Sequence, residues 1–256
     1  MLLGAPTAYW ATVAGLIGLA LGSFSTVLAS RWPAGESLVS PRSHCTSCRR
    51  TLTPLELVPV VSWLAQRGRC RGCGGRVHWR YPVIELASGA LAAAAIITFG
   101  PGWEGLAAAL LGVVLVPVVV IDLEHRLIPR RVVVPAAGLG LAAAIAADPA
   151  RWWVPVTAAA GAFAFFFILW FLYPAGMGDG DADLALLMGA VLGASVVPAL
   201  FVAFALGAAL GIGFLARHGA AARKMAVPFG PFLATGALVA LWFGPSMIGW
   251  YAGTLG

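Results

Sequence analysis

The sequence consists of long apolar stretches separated by short polar segments. A run of about 20 apolar residues is the length that crosses a bilayer as a helix. Only 10% of the 256 residues are charged, whereas about 25% is usual in a soluble domain. We therefore expect an all-α polytopic membrane protein with about eight transmembrane helices. The eight apolar stretches are residues 8–29, 83–99, 105–121, 132–147, 154–173, 184–197, 199–216 and 227–243.

One polar segment, Arg31 to Arg80, holds nine of the sixteen basic residues. An excess of arginine and lysine marks loops on the cytoplasmic side. Alternation then places the loops at 122–131, 174–183 and 217–226 on that side, and both chain termini outside. Only Arg151 is left outside, because these loops carry Arg126, Arg130, Arg131, Arg217, Arg223 and Lys224. The net charge of +6 is thus a topology signal next to membrane lipid, and we expect no nucleic acid partner.

This pattern divides the chain into a first transmembrane helix (1–30), a cytoplasmic loop (31–82) and a helical core (83–256). The first apolar run has no basic segment before it and no obvious small-residue cleavage site after it. We expect it to be a retained helix rather than a removed signal peptide.

The cytoplasmic loop contains two CxxC pairs, in HCTSCRR (44–50) and GRCRGCGGR (68–76). Four thiolates satisfy a tetrahedral zinc ion, and nearby arginines favour the thiolate form. A four-cysteine site leaves no open coordination position, so the zinc would be structural. His44 is next to Cys45 and is an alternative zinc ligand. Two disulfides and a redox role are the competing interpretations, and a cytoplasmic location disfavours disulfides. The expected ligands are Cys45, Cys48, Cys70 and Cys73.

Two groups of aspartates flank apolar stretches that are far apart in sequence. Asp122 ends one stretch, and Asp179, Asp181 and Asp183 open another. The topology brings both groups to the same depth on the cytoplasmic side. Carboxylates at membrane depth are candidates for function. Two that face each other share a proton, and such a pair supplies the base and the acid that peptide hydrolysis needs.

Plainer interpretations of the aspartates remain open. One of the three, Asp183 above all, would suit a helix N-cap. A calcium loop is disfavoured, because Leu184 stands where that motif needs glycine and Ala190 where it needs glutamate. Gly176, Gly178 and Gly180 would allow a close backbone approach. We expect Glu124 and His125 to be exposed at a helix end.

Five motifs, in one order, resemble the type IV prepilin peptidases, which are membrane aspartic proteases of the GxGD type. They are GSFSTVLASRWP (22–33), the CxxC loop with RYPVIEL (80–86), IDLEHRLIP (121–129), GMGDGDADL (176–184) and VPFGPFLATGA (227–237). The resemblance covers almost the whole chain. It implies that Asp122 and Asp181 are the catalytic pair, with Asp179 at the variable position of GxGD.

The resemblance also implies the substrate and the location. The family cleaves prepilins and pseudopilins after a glycine, at the cytoplasmic face of the bacterial inner membrane. Many members then methylate the new N-terminal amine with S-adenosylmethionine. No independent motif for this cofactor is visible, and Glu56 and Glu85 are the candidate binding residues. The sequence does not indicate an oligomeric state.

Three positions depart from the family pattern. Asp183 stands where lysine is common, Arg130 where aspartate is common, and Leu57 where a polar residue is common. We expect Asp183 to shift the pH optimum upward and Arg130 to compensate in part. Leu57 weakens the case for methyl transfer, so a peptidase without methyltransferase activity remains an alternative, as does a non-catalytic pilus or secretion assembly factor. A transporter is disfavoured, because ionisable residues are almost absent from the middle of the spans.

Overall fold

The computed structural model describes residues 5–173, 178–219 and 227–255, and the regular elements within them are helices. The described strand pairing is confined to two isolated bridges in the loop of residues 31–82, the cysteine loop. Gly176, Arg223 and Lys224, which entered the sequence predictions, lie outside the described residues. The α-helices are α1 (Thr7–Arg31), α2 (Val61–Ala65), α3 (Arg80–Phe99), α4 (Trp103–His125), α5 (Arg130–Ala147), α6 (Trp153–Leu172), α7 (Gly180–Leu192), α8 (Val196–His218) and α9 (Gly230–Leu255).

The expected all-α membrane architecture is confirmed at the level of its helices. Seven helical segments of the described chain are long and apolar enough to cross a bilayer, with α7 and α8 counted together as one segment, Gly180–His218. At 39 residues, this segment would extend for roughly 58 Å as a straight helix, about twice the hydrocarbon thickness. The expectation of about eight crossings therefore depends on how α7 and α8 cross, and it stays a prediction.

The break between α7 and α8 lies earlier than the sequence suggested. The apolar stretches 184–197 and 199–216 follow each other at once, so the sequence predicts a sharp turn between them at residues 196–198. Instead, a short 3-10 turn at Gly193–Ser195 separates the two helices, and Gly193 has a φ of 55°. Pro198 lies in the first turn of α8, where its missing N–H costs no helical hydrogen bond. Glycine, which tolerates positive φ, makes the break instead.

Residues 1–117 form one compact unit. Its main contact is the packing of α1 on α3, where small residues let the two backbones approach closely. A Cβ at Gly18 would lie 2.6 Å from the carbonyl oxygen of Ser88, and one at Gly22 would lie 2.7 Å from the Cα of Glu85. This packing places Glu85 beside the cysteine loop that α1 and α3 flank in sequence.

Residues 118–256 form the second compact unit, with α7 near its centre. Residues 181–190 of α7 are buried except for Leu186, and α7 packs on α5, α6 and α9. A helix that is buried all round must be apolar all round, and Asp181 and Asp183 in its first turn are the exceptions. The second unit therefore buries two carboxylates at the start of its central helix.

Candidate active site

Asp122 lies in the last turn of α4, and its side chain is held by the start of α9. The residue is 5% exposed, and its Oδ2 accepts a hydrogen bond of 2.8 Å from the backbone N–H of Gly230. A carboxylate at a helix C-terminus is opposed by the helix dipole, but the N-terminus of a second helix favours it. The amide of α9 thus offsets the unfavourable place of Asp122 on α4.

Gly230 must be a glycine for this contact to form. A Cβ on residue 230 would lie 2.7 Å from Oδ2 of Asp122 and 3.1 Å from its Cγ. Side-chain atoms do not approach so closely without a shift of the backbone or the carboxylate. The motif VPFGPFLATGA, which carried part of the family resemblance, therefore has a physical role in holding Asp122.

Asp181 lies in the first turn of α7 and is 6% exposed. Asp122 and Asp181 are close enough to interact through their charges, although 58 residues of sequence lie between them. The preceding glycine, Gly180, packs against Ile128, and a Cβ there would lie 2.6 Å from the Cβ of Ile128. The second glycine of GxGD therefore lets the start of α7 approach the segment that follows Asp122.

The other two aspartates of the cluster differ from Asp181. Asp179 is exposed at the N-cap of α7 and makes no side-chain capping hydrogen bond. Asp183 is 2% exposed, and its Oδ2 lies 3.2 Å from Nε of Arg130, the first residue of α5. The helix-cap interpretation of Asp183 is therefore wrong, because Asp183 lies inside the first turn and pairs with Arg130. The expected compensation by Arg130 has a direct structural basis.

Glu124 and His125 are exposed at the end of α4, as expected. The Nε2 of His125 lies 3.9 Å from an Oε of Glu124. The side chains of both residues are more than one-third exposed.

The four cysteines of the cysteine loop come together as a group. Their Sγ atoms all lie within 4.8 Å of one another, and the thiols are free rather than paired as disulfides. The Sγ atoms of Cys45 and Cys73 are 3.8 Å apart. Two thiolates on a tetrahedral zinc ion with Zn–S bonds of about 2.3 Å would be about 3.8 Å apart. The donor set and its spacing therefore fit zinc.

Each CxxC pair forms the same backbone turn. In the first turn, the N–H of Arg49 donates to the carbonyl of Cys45, and in the second the N–H of Gly74 donates to the carbonyl of Cys70, both at 2.9 Å. Arg49 and Gly74 both adopt a positive φ, of 58° and 69°. Glycine is the usual residue for this conformation. The backbone of Arg49 is therefore strained, which the sequence did not reveal.

Backbone amides and an arginine make the Cys70 thiol acidic. The N–H groups of Cys73 and Gly72 lower the pKa of Cys70 to about 6, against the effect of burial. An Nη of Arg50 also lies 4.0 Å from its Sγ. The thiolate, which is the form that binds metal, is therefore populated near neutral pH.

Arg50 links the cysteine group to Glu56. Its two Nη atoms donate to the two carboxylate oxygens of Glu56 at 2.6 and 3.1 Å. The hydrogen bonds from Arg50, with a further one from the backbone of Thr53, lower the pKa of Glu56 to about 2. Glu56 is thus committed to structure, because both of its oxygens are occupied by groups of the loop.

Glu85 has a different environment. It is 7% exposed on α3, and its Oε2 accepts a hydrogen bond of 2.7 Å from the backbone N–H of Val60. Val60 has a φ of 61°, a conformation that β-branched residues rarely adopt. The hydrogen bond that Val60 donates to Glu85 helps to hold this strained turn in the loop.

Glu56 and Glu85 both line a cavity of about 430 Å³ in the first unit. It lies among the end of α1, the cysteine loop and the start of α3. Its volume is in the range of small-molecule sites. Its wall includes Leu57, Trp63 and Tyr81. The two candidate glutamates therefore line one cavity. Both carboxylate oxygens of Glu56 accept hydrogen bonds, whereas the described hydrogen bonds involve only one oxygen of Glu85.

Comparison with known proteins decides the family. The model of the "Bacterial Peptidase A24 N-terminal domain" matches residues 16–99, and that of the "Type IV leader peptidase family" matches residues 109–212. The chain belongs to the type IV leader peptidase family. This confirms the resemblance drawn from the motifs, and with it the expectation of an enzyme of the peptidase class. No solved structure matches the chain.

Similar curated proteins extend over nearly all of the chain. A prepilin leader peptidase/N-methyltransferase of Bacillus subtilis is 36% identical over 236 residues, which cover 92% of this chain and 95% of the relative. The protein of that name from Aeromonas hydrophila is 39% identical over 84% of this chain and 76% of its own length. One from Burkholderia pseudomallei is 34% identical over 93% and 87%.

Within this leader peptidase, sequence reasoning missed the contacts that hold the aspartates. The Asp122–Gly230 hydrogen bond joins residues 108 positions apart, and the packing of Gly180 on Ile128 joins two motifs. The only sequence signal for these contacts was the glycine in each motif. A glycine that borders a candidate carboxylate is therefore a useful hint of close approach.

Proposed function

We propose that this leader peptidase cleaves type IV prepilins or pseudopilins after a glycine, with Asp122 and Asp181 as its catalytic pair. The main support is the convergence of two buried carboxylates, one held by the α9 amide and the other at the start of α7. The prepilin substrate is proposed from the names of the curated relatives.

The two aspartates provide the acid and the base of peptide hydrolysis. One carboxylate takes a proton from a water molecule, whose oxygen bonds to the carbonyl carbon of the glycine. The protonated partner gives its proton to the leaving amine as the carbon–nitrogen bond breaks. The hydrogen bond from Gly230 occupies Oδ2 of Asp122, so the other oxygen is available to the water.

The site would face the cytoplasm of a bacterial inner membrane. Arg126, Arg130 and Arg131 follow Asp122, and such arginine-rich loops stay on the cytoplasmic side. With α7 and α8 as separate crossings, eight spans place both termini outside. A prepilin leader with a basic segment before an apolar helix would then meet the aspartates where it enters the membrane.

The cysteine group is proposed as a structural zinc site. Four sulfur ligands leave no coordination position for water, so the metal would supply folding energy to the loop. Arg50 would transmit this order to the wall of the cavity, because it lies against Cys70 and binds Glu56.

Methylation of the new N-terminus is proposed as a second activity, with the cavity of the first unit as the donor site. S-adenosylmethionine supplies an electrophilic methyl group on a sulfonium cation. The carboxylate of Glu85 suits this positive charge, and the rings of Trp63 and Tyr81 suit the adenine or the cation. Trp63 is already fixed by a hydrogen bond of 3.1 Å from its Nε1 to the carbonyl of Val77.

Binding of S-adenosylmethionine to the purified full chain tests the donor site. Glu85→Gln keeps an oxygen for Val60 but removes the charge, so we expect at least about tenfold weaker binding by calorimetry. Glu104→Gln, an exposed glutamate of α4, is the matched control and should bind like the wild type. Equal binding by both variants would exclude Glu85 as a ligand of S-adenosylmethionine. If the wild type did not bind the cofactor, the methyltransferase proposal would fail and only the peptidase proposal would stand.

The peptidase proposal is tested by incubating the purified chain with a prepilin-like substrate in detergent. We expect a product whose mass corresponds to cleavage after the leader glycine. Addition of S-adenosylmethionine should increase that mass by one methyl group if the second activity is present. A folded, zinc-loaded protein that leaves the substrate intact would overturn the proposal in favour of an assembly role.

A further inference from the structure

The ion pair between Arg130 and Asp183 is not explained by the catalytic pair. The Asp183 side chain is 3% exposed, whereas the Arg130 side chain is 65% exposed. Oδ2 of Asp183 is buried and has no hydrogen-bond partner among the described residues. Arg130 is therefore the cation that compensates this carboxylate through its charge. A buried carboxylate that loses such a partner is strongly unfavourable.

The position of Arg130 at the N-terminus of α5 is electrostatically unfavourable for a cation. Arg130 is the first residue of α5, and a cation at a helix N-terminus is opposed by the helix dipole. Asp183 lies in the first turn of α7, where the dipole favours an anion. Because α5 gains nothing from an arginine at this place, the reason for it must be found in the contact with α7.

The pair is accompanied by a second close contact between the same two segments. Ile128 packs against Gly180, and Arg130 pairs with Asp183. The backbone N–H of Arg130 also donates to the carbonyl of Ile128 at 2.8 Å, which fixes the spacing of the two contacts on one side. On the other side, Asp181 lies between Gly180 and Asp183 within a single helical turn. A movement of this turn would move Asp181.

We propose that Arg130 and Asp183 are positioning residues that hold the first turn of α7, and with it Asp181, in register with Asp122. This inference rests on the proposed function. Asp122 is held by Gly230. Asp181 is held by the contact of Gly180 with Ile128 and by the pair of Asp183 with Arg130. The geometry of the catalytic pair thus depends on one hydrogen bond and one ion pair that come from different elements.

Charge reversal tests the pair through cleavage kinetics. In Arg130→Asp, two carboxylates face each other, and we expect kcat to fall by at least about tenfold, since small displacements of catalytic groups have large effects. KM should change by less than about twofold, because neither residue is proposed to contact substrate. The double variant Arg130→Asp with Asp183→Arg should recover most of kcat, and Arg130→Lys should retain it.

A second ion pair of the same unit provides a matched control. Asp148 and Arg151 pair at 2.6 Å on the exposed segment before α6. Exposed pairs contribute little, so Asp148→Arg should leave kcat and KM unchanged. Wild-type cleavage together with loss in Asp181→Asn shows that the proposed function holds, independently of the outcome for Arg130.

Hydrogen exchange provides a readout that does not depend on cleavage. Peptides that cover the first turn of α7 should exchange faster in Arg130→Asp than in the wild type, and the double variant should restore the slow exchange. A double variant as inactive and as fast-exchanging as Arg130→Asp would overturn the proposal. Wild-type kcat and exchange in Arg130→Asp would overturn it as well.

Discussion

At the scale of single residues, the site is determined by close approaches that only glycine permits. Gly230 brings a helix N-terminus to the Asp122 carboxylate, and Gly180 brings the start of α7 to Ile128. Both glycines stand next to a catalytic candidate in space or in sequence. The proposed chemistry therefore depends as much on the absence of a side chain at these positions as on the aspartates themselves.

Gly230→Ala is expected to remove most cleavage activity without unfolding the protein. The new Cβ would lie 2.7 Å from Oδ2 of Asp122, so either the carboxylate or α9 must move. A displacement near 1 Å at a catalytic group can reduce the rate by about 100-fold. The measurement is kcat on a prepilin-like substrate, together with the thermal unfolding midpoint in detergent.

Gly249→Ala is the control for this prediction. Gly249 lies on the same helix, and a Cβ there meets no atom within 4 Å. It should cleave like the wild type. If Gly230→Ala cleaved equally well, the amide of residue 230 would not be what holds Asp122 in its active position.

At the scale of elements, the cysteine loop and the membrane helices depend on different interactions. The helices pack through buried apolar and small residues, whereas the loop contains two very short helices and two isolated bridges. A segment with so little apolar burial needs a further source of order, and four clustered thiols provide one if a metal binds. Loss of the metal should therefore affect the loop alone.

Cys70→Ser tests this separation. The variant should lose bound zinc, measured by elemental analysis of the purified protein, and proteases should then cut within residues 36–78. The helical circular dichroism signal should remain close to that of the wild type. Thr46→Ala, an exposed residue inside the first CxxC turn, should keep its zinc. A stoichiometric metal in Cys70→Ser, or none in the wild type, would contradict the site.

The sequence predicted the long helices but not all of their ends. The apolar runs predicted the long helices, because burial and lipid favour the same residues. They misplaced the α7–α8 break, since Pro198 is tolerated in a first turn while Gly193 adopts the positive φ. They also ended the last helix at residue 243, whereas α9 continues to Leu255 through Pro245.

The candidate site was predicted only in part, for a physical reason. The predicted topology placed Asp122 and Asp181 on one side of the membrane, and the family motifs indicated them as the candidate pair. Their partners could not be derived, because the Gly230 contact and the Arg130–Asp183 pair join segments that are 108 and 53 residues apart in sequence. Periodicity reports local structure, and it carries no information on which helix termini meet.

At the scale of the whole molecule, the distribution of basic residues predicts the membrane orientation. Arg151 is the only basic residue of the sequence that eight crossings leave outside. The number of crossings is eight if α7 and α8 cross separately, and seven if they cross together as Gly180–His218.

Reporter fusions distinguish the two topologies. With eight crossings, an alkaline phosphatase fused after α9 should be active outside, and green fluorescent protein at the same site should be dark. With seven crossings, the result is reversed. A fusion within residues 148–151 should report outside in both cases, and one at residues 126–129 should report the cytoplasm. Cytoplasmic signal at 148–151 would contradict the orientation itself.

The most direct measurement of the central claim is cleavage of a prepilin-like substrate by Asp122→Asn and Asp181→Asn, beside Asp179→Asn as control. Asp179 is exposed and belongs to the same GxGD segment, so it shares the sequence context without the proposed role. We expect both pair variants to lose cleavage while remaining folded and zinc-loaded, and Asp179→Asn to cleave like the wild type. Retained cleavage in either Asp122→Asn or Asp181→Asn would show that these two carboxylates are not the catalytic pair.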